Sequence, residues 1–134
     1  MQNSSKTFFE QEVDRIAKEH GLPEHHYIQV RQSKAFMEQY LSEKIELEKI
    51  AAAAFMSRFH YIRIFQQVYG ITPRQYLRDL RINKAKELLK QGMSVTQVCF
   101  EVGYDSLPTF SSAFKRGAGI SPRMYQELNN SNLE

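Results

Sequence analysis

The sequence is poor in the residues that cross-link a chain, break helices or anchor a protein in a membrane. Its 134 residues include one cysteine, four prolines, six glycines and no tryptophan. Because Cys99 is alone, an intrachain disulfide is excluded, and we expect this thiol to be a small buried group where two helices cross. No apolar run approaches the ~20 residues of a membrane-spanning helix, and the N-terminus lacks the apolar core of a signal peptide. We therefore expect a cytoplasmic protein that has no membrane partner.

Patterns typical of enzymes and of metal or cofactor sites are also missing. There is no glycine-rich phosphate loop, no Ser–His–Asp order and no pair of carboxylates in a fixed context. His20, Glu24, His25 and His26 lie close together, as the ligands of a nitrogen-rich metal site can. However, no two histidines are spaced i, i+4 on one helix, so a surface loop is the better interpretation. We predict no enzyme activity, no catalytic residues, no cofactor and no metal.

Positive charge is concentrated in one part of the chain. The net charge is only +3, but residues 57–123 carry +7, because eleven Lys and Arg there face four Asp and Glu. A focused positive region suits a polyanionic partner, because neutralising phosphates releases condensed counterions. From charge alone, a solvated basic surface that has no partner remains an alternative interpretation.

The hydrophobic pattern predicts helices throughout, because β-branched residues never gather into alternating runs, and Gly and Pro fall at element ends. Ser57, Ser94 and Ser106 are predicted N-cap residues, Gly70 a left-handed stop, and Pro73 the first position of a long helix. Residues 23–30 are expected to form an irregular connection. The predicted helices cover residues 7–20, 33–42, 47–54, 58–69, 73–91, 95–102 and 107–117, with a short one from residue 122.

The chain repeats itself at an interval of 49 residues. "YGITPRQY", from Tyr69, and "AGISPRMY", from Ala118, are nearly the same phrase. Between residues 55–76 and 104–125, seven of 22 aligned pairs are identical without a gap, and they include helix caps and stops. Each copy has a short helix, a tight turn and a capped second helix, which is the plan of a helix-turn-helix. The first turn is one residue shorter, with Phe55 in the place that Gly103 takes in the second.

The distance between the two copies suits the spacing of grooves in DNA. A helix-turn-helix places its second helix in the major groove, and such grooves recur about every 34–36 Å along one side of a duplex. The helix predicted between the copies is about 28 Å long at about 1.5 Å per residue. We therefore expect a monomer whose two second helices read successive grooves of double-stranded DNA.

Two stretches carry a family resemblance, "FMSRFHYIRIFQQVYGITPRQYLRDLRINKAKELL" and "SVTQVCFEVGYDSLPTFSSAFKRGAGISPRMY". With them the chain resembles the AraC/XylS family of bacterial transcription regulators over residues 36–125. The resemblance implies binding of promoter DNA through two helix-turn-helix units, and activation of transcription by contact with RNA polymerase. The chain departs from the family at Leu107-Pro108, where polar residues are usual, and at Ala118, where an aromatic residue is usual. The second unit is therefore expected to contribute less sequence choice than the first.

The candidates for DNA contact are side chains on the outward faces of the two second helices and beside the two Pro-started helices. Arg63 is the strongest candidate for base reading, because its planar fork matches the O6/N7 edge of guanine. The outward apolar Phe59 and Ile62 suit thymine methyl groups; alternatively, both pack under the N-terminal segment. The predicted base-reading residues are Phe59, Ile62, Arg63, Pro108, Thr109 and Ser112, and the predicted phosphate contacts are Arg58, Gln66, Gln67, Arg74, Lys115, Arg116 and Arg123.

Three further side chains have competing interpretations. For Arg78 and Arg81, a solvated or internal ion-pairing role competes with DNA contact. His60 is expected to pack locally or to face phosphate rather than to act as a ligand or catalyst.

The predicted fold is all-α, with two helix-turn-helix subdomains, which are homeodomain-like three-helix units, joined by a long linker helix and preceded by an N-terminal helix. The predicted segments are residues 1–32 (accessory helix and connection), 33–71 (first subdomain), 72–92 (linker helix), 93–129 (second subdomain) and 130–134 (frayed tail). Residues 1–32 are too few for a domain with its own core. Either the protein is a compact regulator controlled by its own abundance, or the chain is the DNA-binding end of a longer one. The N-terminal helix is expected to pack on the body, with dimerisation or binding of another protein as alternatives.

A second function is compatible with the same fold. In it, the chain is a helical protein-interaction module that binds DNA weakly and acts on RNA polymerase or another regulator. Leu107-Pro108 and the modest net charge favour this alternative. A steep salt dependence of duplex DNA binding separates the two, because it counts phosphate contacts.

Overall fold

The computed structural model describes residue 11 and residues 24–132. Within this part of the chain there are seven helices and no strand, which confirms the all-α prediction. The helix predicted over residues 7–20 and the possible roles of the N-terminal segment lie outside the described residues, apart from residue 11. In chain order the helices are α1 (Glu24–Gln39), α2 (Leu47–Ala53), α3 (Arg58–Tyr69), α4 (Pro73–Lys90), α5 (Val95–Glu101), α6 (Leu107–Ala118) and α7 (Pro122–Asn132).

The first of two compact units comprises residues 24–36 and Glu46–Arg74. In it, α2 packs against α3 to form the first helix-turn-helix. The inner face of α3 repeats at i, i+3, i+4 and i+7, and its buried residues are Tyr61, Ile64, Phe65 and Val68. This is the inner face that the hydrophobic spacing predicts, so the opposite face of α3 is left for solvent or a partner.

A buried hydrogen-bond chain links α1 to α3 in the same unit. The Tyr61 hydroxyl donates to Ser33 Oγ at 2.7 Å, and the Ser33 hydroxyl donates to the Val30 carbonyl oxygen at 2.6 Å. Burial raises the pKa of Tyr61 to about 12, so the phenol keeps the proton that this bond requires. The position of α1 is therefore specified by polar partners as well as by apolar packing.

The second compact unit comprises Met37–Ile45 and, in its described part, residues 75–132. In it, α5 packs against α6 and α6 against α7. Cys99 lies in the core with no exposed surface, as predicted, and burial raises the pKa of its thiol. The core is formed by Ile82, Ala85, Leu88, Leu89, Val98, Cys99, Val102, Phe110, Ala113 and Phe114.

The predicted linker helix belongs largely to the second unit. Residues 75–90 of α4 fall in this unit, and their buried face supplies Ile82, Ala85 and Leu89 to its core. Residues 37–45, which the sequence placed in the first subdomain, also fall in the second unit. The reason is that α4 contributes buried side chains to the core of the second unit, so it is one of the helices of that unit and not a bare connector.

Helix ends follow the sequence closely. The hydroxyl oxygens of Ser57, Ser94 and Ser106 accept hydrogen bonds from the backbone N–H three residues later, at 3.1, 3.2 and 3.4 Å. Gly70 and Gly119 end α3 and α6 in the left-handed conformation, with φ of 81° and 85°. The repeat therefore has the same stop and the same cap in both units.

Two elements differ from the sequence-based expectation. The irregular connection over residues 23–30 is wrong from residue 24 onward, because α1 begins at Glu24 and continues past the helix start predicted at residue 33. Tyr27 and Val30 are buried at helical spacing, so tertiary burial extends the helix through a stretch with little helical signal. The frayed tail is also wrong for residues 130–132, since α7 extends to Asn132.

The two neighbouring histidines belong to α1, because this helix begins at Glu24. His25 and His26 lie on a helix and not on the surface loop that the sequence suggested. Among the described residues, no group of three or more His, Cys, Asp or Glu side chains is arranged to hold a metal ion. None of the helices in residues 24–132 combines the length and apolar composition needed to span a bilayer.

Candidate nucleic-acid interface

The outward face of α3 carries the predicted readers of the first unit. Phe59 is 75% exposed, although it is a large apolar side chain at the start of a helix. Arg63, Gln66 and Gln67 are also exposed, one or two turns further along. Ile62 is only half-buried, so it lies at the border between the outward and inner faces. The segment that would cover Phe59 and Ile62 in the alternative interpretation lies outside the described residues.

Arg58 holds two weak partners at the beginning of α3. Its Nη1 lies 3.5 Å from Glu48 Oε1, and its guanidinium lies 5.3 Å from the centre of the Phe59 ring. About half of each side chain in the Arg58–Glu48 pair is exposed, so the pair contributes little to stability. Arg58 can therefore exchange this carboxylate for a phosphate at small cost.

A cavity of about 220 Å³ lies beside Arg58 in the first unit. The first residues of α4 form one wall, and Ile62 of α3 forms another. Backbone N–H groups at a helix start attract anions, and Arg58 and Arg74 add two cations. The lining residues are Leu47, Arg58, Ile62, Thr72, Pro73 and Arg74.

The outward face of α6 carries the predicted readers of the second unit. Pro108, Thr109 and Ser112 are exposed on its first two turns, where Pro108 offers no N–H donor. Lys115 and Arg116 are exposed in the last turn. Cations at the end of a helix interact favourably with its dipole, so this placement also has a local benefit.

Arg74 and Arg123 occupy equivalent positions after the two Pro residues but differ in their surroundings. Both are exposed, and Arg74 lines the cavity of the first unit. Arg123 Nε instead lies 3.4 Å from Glu127 Oε1, one turn later on α7. Because 86% of the Arg123 side chain and 59% of the Glu127 side chain are exposed, this pair is also readily exchanged.

Arg81 has an internal role, which decides between the two interpretations of this residue. Its Nε donates to the Leu41 carbonyl oxygen at 2.7 Å, and its Nη2 donates to the Glu43 carbonyl oxygen at 2.9 Å. The guanidinium also lies 5.5 Å from the centre of the Tyr104 ring. Burial lowers the pKa of Arg81, which is nevertheless held as a cation by these acceptors. Arg81 therefore holds residues 41–43 against the rest of the second unit, to which they also belong.

Arg78 is half-buried, and its Nη2 lies 3.6 Å from Asp79 Oδ1. Its Nε is buried and has no hydrogen-bond partner in the structure. This placement favours the internal ion-pairing interpretation over contact with DNA.

Phe55 is matched to Gly103 by the internal repeat, but the sequence does not predict its unusual backbone conformation. It lies in the turn between α2 and α3 with φ of 57° and is 91% exposed. Gly103 occupies the equivalent turn of the second unit with φ of 98°. A bulky L-residue in the left-handed region costs about 1–2 kcal/mol, so the first turn is strained where the second is not.

We expect Phe55→Gly to raise the free energy of unfolding by up to about 1 kcal/mol, because relief of the left-handed strain exceeds the extra backbone entropy of glycine. Urea unfolding measures this change. Gly103→Ala is the matched control with the opposite sign, because a Cβ there would lie 3.0 Å from the Leu41 carbonyl oxygen and 3.1 Å from Arg81 Nε. A loss of stability in Phe55→Gly would show that the phenyl ring contributes packing.

The chain is similar to known transcriptional regulators. A family model described as a helix-turn-helix domain matches residues 50–128. The MmsAB operon regulatory protein of Pseudomonas aeruginosa is 36% identical over 94 residues, which are 69% of this chain and 31% of that protein. The chain spans about a third of the length of the curated relatives it matches.

Solved structures share the fold. A Chromobacterium violaceum transcriptional regulator of the AraC-type DNA-binding class matches with a TM-score of 0.66 and 30% identity, over 75% of this chain and 91% of that one. The DNA-binding domain of AdpA, a global transcriptional factor solved in complex with a target DNA, matches with a TM-score of 0.72 and 30% identity, over 77% of this chain and 94% of that one. These relatives are transcriptional regulators and so belong to a non-enzymatic class. The duplicated helix-turn-helix and these matches together show that the chain belongs to the AraC family of helix-turn-helix transcriptional regulators.

Proposed function

We propose that this chain binds double-stranded promoter DNA, with α3 and α6 in successive major grooves. The observation that carries the proposal is the repeated setting of these two helices. Each begins at a capping serine, buries an aromatic inner face and ends at a left-handed glycine, and each has exposed outward side chains, among them Arg63 in α3 and Thr109 and Ser112 in α6. The DNA complex of the AdpA domain supports the proposal through its similarity of fold.

Most sequence choice comes from α3. Arg63 pairs with the O6/N7 edge of a guanine, and Phe59 and Ile62 contact thymine methyl groups. The base contacts of α6 come from Pro108, Thr109 and Ser112, which have shorter side chains and fewer donors. The helix-turn-helix geometry supports this division, because residues in the first two turns of a reading helix reach base edges.

Phosphate contacts orient the chain on the duplex without reading sequence. In the first unit they come from Arg58, Gln66, Gln67 and Arg74, and in the second from Lys115, Arg116 and Arg123. The exposed, weakly paired state of Arg58 and Arg123 supports this role, because their carboxylate partners are easily exchanged.

On the promoter the chain acts as a monomer and activates transcription by contacting RNA polymerase. The presence of two reading helices in one chain supports the monomer, since a single helix-turn-helix usually needs a partner subunit to reach a second groove. The resemblance to the AraC/XylS family supports the contact with polymerase. A dimer through the N-terminal helix is the alternative assembly.

One observation favours a second candidate function, a helical module that binds another protein. In the second unit, Phe100 is 54% exposed and Leu107 is 36% exposed, and Leu107 is followed by the donor-free Pro108. These are apolar residues where a DNA-reading unit would gain from polar ones. In this candidate, α6 contacts RNA polymerase or another regulator, and DNA binding is weak.

Selection of bound fragments from a random duplex pool tests the proposal. We expect enrichment of two half-sites about 10–11 base pairs apart, one well defined and one degenerate. Enrichment of a single half-site would show that α6 does not read DNA. No enrichment at all would favour the protein-interaction module.

A further inference from the structure

Three histidine rings form a cluster in the first unit that the proposed function does not use. The ring centres of His25 and His26, on α1, are 4.2 Å apart. The ring of His26 meets the ring of His60, on α3, edge to face with a centre-to-centre distance of 5.0 Å and an interplanar angle of 75°. The histidine cluster therefore connects α1 to α3, the helix that carries the proposed base readers.

Of the three histidine rings, the ring of His60 contacts Arg63. Arg63 Nη2 lies 3.0 Å from His60 Nδ1. A guanidinium has five N–H donors and no acceptor, so this hydrogen bond requires a lone pair on Nδ1 and a neutral imidazole with its proton on Nε2. The bond uses one donor of Arg63 and leaves four N–H groups for a guanine edge.

His60 is itself well placed to hold the guanidinium. Its backbone N–H donates to the capping Ser57 Oγ at 3.1 Å, and its ring is half-buried against His26, whereas Arg63 is exposed. A long exposed arginine samples many rotamers unless a neighbour restricts it. The neutral imidazole is such a neighbour, because it contacts the end of the side chain.

We propose that His60 is a positioning residue for Arg63, and that its neutral form is required for base discrimination by α3, which then weakens in acid. The inference rests on the proposed DNA-reading function. Protonated His60 has an N–H at Nδ1, so it can no longer accept from Arg63, and its charge repels the guanidinium.

The groups that face His60 allow this response. In the described part of the chain, they are Arg63 on its own helix and His26 on α1, with His25 behind His26. Burial lowers the pKa of His26, and the neighbouring His25 and His60 lower it further. The ring that packs on His60 therefore stays neutral to lower pH than an ordinary imidazole and adds no positive charge beside it.

The test compares affinity for the selected duplex with affinity for a scrambled duplex of the same length at constant ionic strength. The ratio of the two removes the sequence-independent gain in affinity that extra positive charge brings at low pH. The wild-type ratio is expected to fall by about threefold to tenfold between about pH 7.5 and about pH 5.5, which is part of what one bidentate arginine contact supplies.

Variants separate positioning from a purely structural role. His60→Asn places an acceptor oxygen near the site of Nδ1 without titrating, so at both pH values it should give the ratio that the wild type has at about pH 7.5. His60→Ala should have a low ratio at both. His25→Gln is the matched control, because His25 is exposed and does not touch Arg63, and it should retain the wild-type response to pH. Thermal unfolding at each pH confirms that the variants compared are folded.

The outcomes distinguish the inference from the function on which it rests. If Arg63→Ala leaves the ratio at about pH 7.5 unchanged, the proposed base reader is wrong. If Arg63→Ala lowers the ratio but His60→Ala does not, the positioning role alone is overturned. A His60→Asn variant that loses discrimination in acid as the wild type does would assign the pH response to another group and would also overturn the proposal.

Discussion

Arg81→Ala is expected to lower the free energy of unfolding by about 2–4 kcal/mol, because it removes two hydrogen bonds from a charged donor to backbone carbonyls. Those carbonyls belong to Leu41 and Glu43, at 2.7 and 2.9 Å. Without the guanidinium, the part-buried Leu41 carbonyl loses this partner, and the Tyr104 ring loses a stacked cation. Chemical denaturation followed by circular dichroism measures the change.

Two variants on the same helix sharpen this test. Lys84→Ala removes an exposed cation from α4 and should change stability by less than about 0.5 kcal/mol. Arg81→Lys keeps the charge but lacks the fork, so it should recover at most one of the two hydrogen bonds. If Arg81→Ala and the Lys84→Ala control had the same free energy of unfolding, the placement of residues 41–43 would not depend on Arg81.

Arg63→Ala is expected to weaken binding to the selected duplex by about 5-fold to 150-fold, the equivalent of about 1–3 kcal/mol for one bidentate base contact. Base preference should relax at one position of the stronger half-site. Ser112→Ala, the comparison in α6, should change affinity by less than about threefold, because a short hydroxyl gives one weaker contact. Competition binding against duplexes that vary one base pair at a time measures both effects.

A phosphate-contact variant provides the control for Arg63→Ala. Arg116→Ala should weaken binding to all duplexes alike and lower the salt slope by about one, without changing base preference. If Ser112→Ala relaxed base preference more than Arg63→Ala, the assignment of sequence choice to α3 would be wrong.

Features that depend on neighbours in sequence were predictable, and the reason is physical. A serine cap and a left-handed glycine act within one helical turn, so Ser57, Ser106, Gly70 and Gly119 define the ends of α3 and α6 directly. The repeat of these signals at an interval of 49 residues then predicts both helix-turn-helix units from the sequence alone.

Features that depend on distant partners were not predictable. The start of α1 is decided by burial of Tyr27 and Val30, and the position of Ser33 by its hydrogen bond with a tyrosine 28 residues later. The role of Arg81 depends on backbone carbonyls about 40 residues away, and no pattern of side chains encodes an acceptor that every residue possesses.

The candidate site also has features that the local sequence predicts and features that depend on distant contacts. The outward placement of Phe59 and Arg63 followed from helical periodicity, whereas the half-buried position of Ile62 did not, because it depends on how the first residues of α4 meet α3. The contact of His60 with His26 was missed for a related reason. With residues 23–30 interpreted as a loop, the sequence did not indicate that His26 lies beside α3.

We expect this chain to bind DNA with an affinity that depends on phosphate contacts from both units. The most direct test is the equilibrium constant for the selected duplex as a function of salt concentration, measured by fluorescence anisotropy. The proposed cationic phosphate contacts are Arg58, Arg74, Lys115, Arg116 and Arg123. With these engaged, the slope of log K against log salt concentration should be about −4 to −5. A slope near zero, or no measurable binding at low salt, would contradict the account and favour a protein-interaction module.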